Sequence, residues 1–514
     1  MPAEPKKAPV LQFDRDTLAA VLAKIDPTLT TETLSGLIKA TGGTEAAAIK
    51  VLFGQVNQLI LGGSATVEES DLDGIFKSIE TASPAGKLIS LAGTDSVKLA
   101  ALAGSDIGAR YALIHGIPFA ITGNAALYDN LNRDGSLYKF DPNTGEKRYT
   151  DEWLKDRSQF LAVKFNAAGE SSLAVAGTQS WTFEERTDAG ASRIQVSADQ
   201  DQRAAAKMIF ATGATTTQTV VGSASGDHIY GGAGDDNINA GAGDDYVEGG
   251  SGGDMIDGGR GNDTLDGGQG NDIMEGGQGR DVITDLEGNN LFAGGNGSDT
   301  LTGGNGNNVF IGSATNDVIS SGAGNDLFAF NAGDGDDHIR LGGGGDALSL
   351  GGGVRYEDLA LSKRGDDLRM TLGNGDTITF DDWYSNAANR SLVNLQVIAD
   401  SLGDFDPNGS NTLKDNRVEL FNFQALVAGF DAAREANPNL NRWKMMNSLL
   451  GNHLGGSDSA ALGGDLAYQY GHAGSLASVG VDAAQAMLAN AQLNLNPQAL
   501  LAVAALQAGG QRLM

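Results

Sequence analysis

Twelve side chains able to offer oxygen recur every nine residues in the middle of this chain: Asp227, Asp236, Asp245, Asp254, Asp263, Asp272, Asp281, Asn290, Asp299, Asn308, Asp317 and Asp326. Each closes a short stretch rich in glycine, as in Gly258-Gly-Arg-Gly-Asn-Asp263 and Gly267-Gly-Gln-Gly-Asn-Asp272. Carboxylates set at a regular interval, with main-chain carbonyls bared by glycine turns beside them, form the donor set of a hard divalent cation. Calcium takes six to eight oxygens in a flexible shell, whereas magnesium wants a tighter octahedron, so calcium suits this set better. Asp-Gly loops also form turns with no ion at all, but turn-making alone does not require twelve copies in one phase.

Positioning such donors is the task of the other residues in each copy. From Gly222 to Ala329 position eight is always apolar, running from Ile229 through Leu265 to Phe328, while positions seven and nine are mostly polar. That alternation marks a three-residue strand with one buried face. The six residues before it are too rich in glycine for helix and form a turn. Two strands and two turns make one coil of eighteen residues, so twelve copies give six stacked coils, roughly 29 Å long at about 4.8 Å per coil. Stacking sorts position six into two columns. One is unbroken: Asp227, Asp245, Asp263, Asp281, Asp299 and Asp317; the other reads Asp236, Asp254, Asp272, Asn290, Asn308 and Asp326. Between Gly222 and Arg340 there are 21 acidic and 3 basic side chains, a net of −18. Five gaps on each edge give room for up to about ten calcium ions, whose charge would nearly balance the roll.

The repeat closely resembles the GGxGxDxUx nonapeptide of the RTX proteins. The resemblance implies a right-handed parallel β-roll in which each calcium lies between loops two repeats apart, held by sixth-position aspartates and loop carbonyls. Carried over where Asp is present, the ligands are Asp227, Asp236, Asp245, Asp254, Asp263, Asp272, Asp281, Asp299, Asp317 and Asp326. Weaker sites are expected where Asn290 and Asn308 replace Asp, and where glycine is lost at 285–288 and 312–315.

The whole chain of 514 residues carries −30 net charge, 74 glycines and no cysteine. Such a surface disfavours nucleic acid and anionic membrane. Without disulfides or thiol chemistry, bound metal would take the place of the missing staples in an extracellular chain. The first residues lead into no apolar run long enough for a secretory signal, and no stretch reaches the eighteen residues of a transmembrane helix, which alone would point to the cytoplasm. Calcium sites of the extracellular class, binding at roughly 0.1–1 mM, would however stay empty there. The RTX resemblance implies a resolution: secreted, extracellular or cell-surface localisation, reached unfolded through type I secretion machinery by means of an uncleaved C-terminal signal. From Leu466 to Met514 the only charged residues are Asp482 and Arg512, and apolar helical patterns run through Ala483 to Leu495 and Gln498 to Leu506. A packed helix pair would show the same pattern.

The fold class is therefore mixed: a β-roll flanked by an α+β N-terminal domain and a mainly helical C-terminal region. Residues 1–81 read as a bundle of short amphipathic helices, with Thr66 and Glu69 forming a capping box. Residues 82–212 read as α+β. Within them Arg110-Tyr-Ala-Leu113, Pro118-Phe-Ala120, Phe140 to Glu146 and Thr150 to Arg157 resemble a segment found ahead of the repeats in large RTX proteins. Thr150 is expected to cap a helix bearing Trp153, Leu154 and Phe160, and a hairpin is expected across Asp188-Ala-Gly190. Residues 213–340 are the roll, opened by the degenerate copy Gly213 to Val221, and Asn331 to Ile339 continues the pattern out of phase. Residues 341–403 are expected to cap the roll, with Trp383 and Tyr384 plugging its end, and 404–514 form the C-terminal region. Asp404 to Asp415 meets an EF-hand loop template only in part, since Pro407 and the short Asp at its last position count against calcium, and an interdomain turn explains it as well.

Catalytic signatures are sparse. There is no HExxH, and His115, His228, His338, His453 and His472 never stand at a metal-ligand spacing. The one GxSxG, Gly249 to Gly253, follows a repeat strand rather than a nucleophile elbow. The reading that remains is a non-enzymatic calcium-binding structural or interaction protein, of the surface-layer, matrix or adhesin kind, partnering itself or a cell-surface polysaccharide. The alternative is a secreted hydrolase or toxin-like effector with an unmarked site in residues 82–215, where His115 is the available base.

Overall fold

The computed structural model describes residues 87–91, 94–114, 119–123, 125, 149–166, 181–187, 190–196, 206–213, 216–507 and 511–513. It divides into two compact units, Met1–Ala198 and Asp199–Met514. The helices expected within 14–81 lie outside the described residues.

In the first unit, Lys87–Ser90 pairs antiparallel with Phe119–Thr122. Helix α1 (Ser96–Ser105) starts at Asp95, whose carboxylate accepts from the Lys98 N–H at 3.0 Å, and α2 (Ile107–Ile114) follows it directly. Helix α3 (Asp151–Asn166) opens as expected, with the Thr150 hydroxyl accepting from the Trp153 N–H at 2.9 Å and Trp153, Leu154 and Phe160 buried. Its Arg157 is buried too, paired with Glu185 at 2.6 Å and donating to the carbonyls of Leu113 and Ile114, so charge and hydrogen bonds close together. The expected hairpin is present as Trp181–Thr187 paired with Gly190–Val196.

The second unit is built on the roll. Two parallel ladders form, one through Ala206–Gly213, His228–Ala233, Tyr246–Ser251 and onward to Asp336–Arg340, the other from Thr219–Ser223 to Asp346–Leu350. Each holds eight strands, so eight coils are stacked where the in-phase copies alone implied six. The additional coil at the start uses the degenerate copy, with Val220 stacked on Ile238. The one at the end appears out of phase in sequence because its coil has twenty residues: Val318 lies beside His338 and Leu327 beside Ala347. Two residues added in a loop leave the strand register untouched.

Position eight fills the interior, from Ile229 to Phe328, fully buried in one continuous cluster. On one ladder Phe292, Phe310 and Phe328 stack with centroids 4.7 and 5.5 Å apart and planes within 13°, adding roughly 0.5–1.5 kcal/mol per pair beyond burial. Beyond the last coil, Asp376–Phe380 and Leu392–Ile398 extend the two ladders in parallel, and antiparallel strands then end both sheets. Trp383 is buried against Phe380 and Phe423, the first residue of α4 (Phe423–Ala436), so it closes the apolar column; Tyr384 lies at the margin and donates to Asp431 at 2.9 Å.

The two ladders have different outer faces. After Asn237, position seven on the ladder of Phe292 is Met255, Ile273, Leu291, Val309 and Leu327, all buried under the C-terminal segment. That segment contributes Leu462 just ahead of α5 (Gly464–Ala473), Leu466 on it, Ala484 and Leu488 on α6 (Val481–Leu488), and Leu493, Leu506 and Leu513. Expected helices over 483–495 and 498–506 shrink to α6 and the single turn Val503–Leu506, because the stretch between them turns to hydrogen-bond the roll. The other ladder carries Tyr246, Thr264, Val282, Thr300 and Val318 at position seven, and Val282 and Val318 remain 43% and 48% exposed. No described helix is long and apolar enough to cross a membrane.

Glycine is required where loops of successive coils meet: Gly261 has φ +131°, and a Cβ there would lie 1.8 Å from the Gly243 carbonyl oxygen. Where repeat eleven lacks glycine, Ser313 and Thr315 are held at φ 68° and 88°. A β-branched residue there costs about 1 kcal/mol. Thr315→Gly is therefore expected to raise the calcium-loaded melting temperature by roughly 2–4 °C, read by differential scanning calorimetry; an unchanged or lower value would remove the strain argument.

Candidate metal centre

The position-six side chain ties one coil to the next. Asp245 Oδ1 accepts the Asp227 N–H at 2.6 Å, Asp263 Oδ1 the Asp245 N–H at 2.8 Å, and the chain continues through Asp281, Asp299, Asp317 and Asp337. On the other edge the same bond runs through Asp236, Asp254, Asp272, Asn290, Asn308, Asp326 and Asp346. Asn makes this bond as well as Asp does, so tying coils does not explain a carboxylate. The second side-chain atom does. In Asn290 and Asn308 it is an amide nitrogen, donating to the loop carbonyls of Glu287 at 2.7 Å and Gly306 at 3.1 Å. In Asp236, Asp245, Asp254, Asp263, Asp272, Asp281, Asp299, Asp317, Asp326 and Asp337 it is an Oδ2 that is buried and finds no donor.

A buried carboxylate oxygen without a donor is costly. Such an oxygen suits a cation, and the glycine-rich loops offer what else a calcium ion needs, a row of main-chain carbonyls. The residues present fit the ion. Nine of the ten expected ligands have this free oxygen. Asp227, at the head of its column, does not: Ser223 donates to it through both N–H and hydroxyl, and the Lys207 ammonium donates to the carbonyls of Val221 at 2.9 Å and Gly222 at 2.5 Å. A built-in cation occupies the first loop. Asp346 ends the other column likewise, held by the Ser391 hydroxyl.

Sequence reasoning missed Asp337 and Asp346, hidden by the twenty-residue coil, and Asp285, which registers only as a lost glycine. The spacing Asp317, Asp337 and Asp326, Asp346 was the available signal. The loop 404–415 is a turn: Asp406 accepts the Asn408 N–H, and the Lys414 side chain pairs with Asp404. Ser251 of the GxSxG stretch is the last residue of a ladder strand, and His115 lies outside the described residues. His453 pairs with Glu419 at 2.7 Å and His338 with Asp381 at 2.8 Å.

Burial pushes the column carboxyls upward, to about 8 for Asp245, Asp254, Asp326 and Asp337 and about 9 for Asp317, with like charges along the column adding to the effect. Asp285 is raised by burial and by the adjacent Asp272.

The model of the RTX calcium-binding nonapeptide repeat (4 copies) matches residues 212–247, 248–283 and 293–328. Among solved structures, the extracellular lipase LipA from Serratia marcescens aligns at 17% identity and a TM-score of 0.16, over 35% of this chain and 38% of the lipase. The chain thus spans well under half of that protein, and the likeness carries no argument about activity. Curated proteins give no match.

Two outcomes follow from the free oxygens. Raised carboxyls make the ion-free roll bind more protons than the unfolded chain, so their stabilisation is complete below about pH 4 and is lost as pH climbs through about 8. In chelator, β-structure by circular dichroism is expected to fall from pH 5.5 to 8.5, and calcium to restore it at pH 8.5; a chelated roll more stable at pH 8.5 would contradict this. Asp263→Asn keeps the tie to Asp245 while removing charge, so it is expected to stabilise the chelated protein and weaken its calcium response. Asp263→Ala also strands the Asp245 N–H, at a cost of about 1–3 kcal/mol. Identical calcium titrations for Asp263→Asn and the parent chain would remove Asp263 as a ligand.

Proposed function

Working from a chain that carries RTX calcium-binding nonapeptide repeats, we propose that it is a secreted protein that leaves the cell unfolded by type I secretion, folds on extracellular calcium, and serves as a structural or interaction protein of the surface-layer, matrix or adhesin kind. The observation carrying this reading is the set of ten buried Oδ2 atoms along the two columns that lack donors. Such a roll gains its cohesion from an ion scarce inside the cell and abundant outside.

The C-terminal segment supports the export part. Its apolar residues have no partner until the roll exists, because the face they cover is made by stacking. Before folding the segment is available to an export receptor; afterwards Leu513 is 1% exposed. The uncovered ladder, with Val282 and Val318 and acidic loops at its edges, supports the interaction part, as a face for a second copy or a surface polysaccharide.

Size-exclusion chromatography with light scattering and circular dichroism, in chelator and then in millimolar calcium, tests both. The expected result is an expanded chain that compacts and gains β-structure, then grows into ordered assemblies. No compaction would sink calcium-driven folding. A strictly monomeric protein at high concentration in calcium would sink the assembly role.

A further inference from the structure

Repeat eight, Asp285-Leu-Glu-Gly-Asn-Asn-Leu-Phe-Ala293, departs from the pattern three times: Asp stands at position one and Leu286 at position two in place of glycine, and Asn at position six in place of Asp. The matched segments of the repeat family stop at residue 283 and resume at 293, leaving this copy out. Taken separately, the changes at positions one and six are two losses. In the structure they compensate each other.

Asn290 keeps the tie to the coil before it, accepting the Asp272 N–H at 2.8 Å, and turns its amide to the Glu287 carbonyl at 2.7 Å. Asp285 is fully buried, with Oδ1 accepting the Glu287 N–H at 3.0 Å and Oδ2 without a donor. Asp272, also fully buried, has Oδ1 on the Asp254 N–H at 2.7 Å and likewise an Oδ2 without a donor. Both free oxygens converge over Gly267: a Cβ built there would lie 2.2 Å from Asp285 Oδ2 and 2.9 Å from Asp272 Oδ2. No ion pair among the described residues reaches either group, so two buried carboxyls, each raised by burial, face each other across one glycine-walled space.

We infer that Asp272 and Asp285 hold a divalent cation, calcium by the hardness of the donors, at a site in which the carboxylate has moved from position six of repeat eight to position one. The inference rests on the calcium-folded reading above and reverses the expectation of a weak site at this gap.

The next gap shows what a true loss looks like. Asn308 replaces Asp with no carboxylate added, since position one is Gly303. The Asn308 amide nitrogen lies 2.9 Å from the Cβ position of Gly303, much as Asp263 Oδ2 lies 2.6 Å from that of Gly258. A donor therefore occupies the spot where an acceptor would await an ion. The C-terminal segment adds Asn494, fully buried, whose amide bridges the carbonyls of Asn308 at 2.9 Å and Asn325 at 2.8 Å. Amides do there what a cation does elsewhere.

Native mass spectrometry of the full chain in calcium acetate counts the ions bound. Asp285→Gly is expected to lose one ion relative to the parent chain, and Asp285→Gly with Asn290→Asp, which returns the carboxylate to position six, to regain it. Asn308→Ala is expected to lose none. An unchanged count for Asp285→Gly overturns the inference, as does a lost ion that the double variant fails to regain, since Asp285 would then shape the loop rather than bind. A parent chain that binds no calcium at all would instead sink the calcium-folded reading. Circular dichroism of each variant in calcium separates a lost ion from a lost roll.

Discussion

One bond repeats along both edges of this molecule: the Oδ1 of a position-six side chain accepting the main-chain N–H of the coil before it. It fixes the spacing of the coils and aims the second atom of the same side chain into the gap between loops. Everything distinctive about the roll follows from whether that atom is oxygen or nitrogen. An amide completes its gap from within, using the loop carbonyls. A carboxyl leaves the gap unfinished, with a buried oxygen that lacks a donor and is suited to a proton or a cation. Lys207 supplies a positive charge at the first loop of one edge, which gives the stack one coil end closed by the protein itself.

The interior of the roll was legible because its signal is periodic and in phase. Position eight is apolar in every copy, and no other arrangement buries residues nine apart so uniformly. The columns of Asp227 and Asp236 could be sorted for the same reason. Periodicity also set the limit: Asp337 and Asp346 belong to the same columns, but two added loop residues broke the count while leaving the strands aligned. A ruler in sequence is not a ruler in space when loops absorb the difference.

Other features were illegible because they depend on pairs of distant residues. Reading position seven as mostly polar averaged over two faces, one of which is Met255, Ile273, Leu291, Val309 and Leu327 and the other largely polar. Sorting odd from even copies, as was done for the aspartates, would have revealed an apolar stripe and the need for something to cover it. That the cover is the chain's own last fifty residues could not be read from their composition, which suits a packed helix pair and an export signal equally. Asp285 was obscured in another way, since a residue counted as a missing glycine is easily overlooked as a relocated carboxylate.

The unequal faces limit the geometry open to the roll. Among the described residues of the second unit, one broad side of the roll is committed to its own C-terminal segment and the far ends of both ladders are joined to further strands, while the side of Val282 and Val318 stays about half exposed. A body that associates through one broad side pairs back to back or lines up edge to edge, rather than bonding above and below as a brick does. An array built through that side alone would be one layer deep, with an inside and an outside fixed before the first two molecules met.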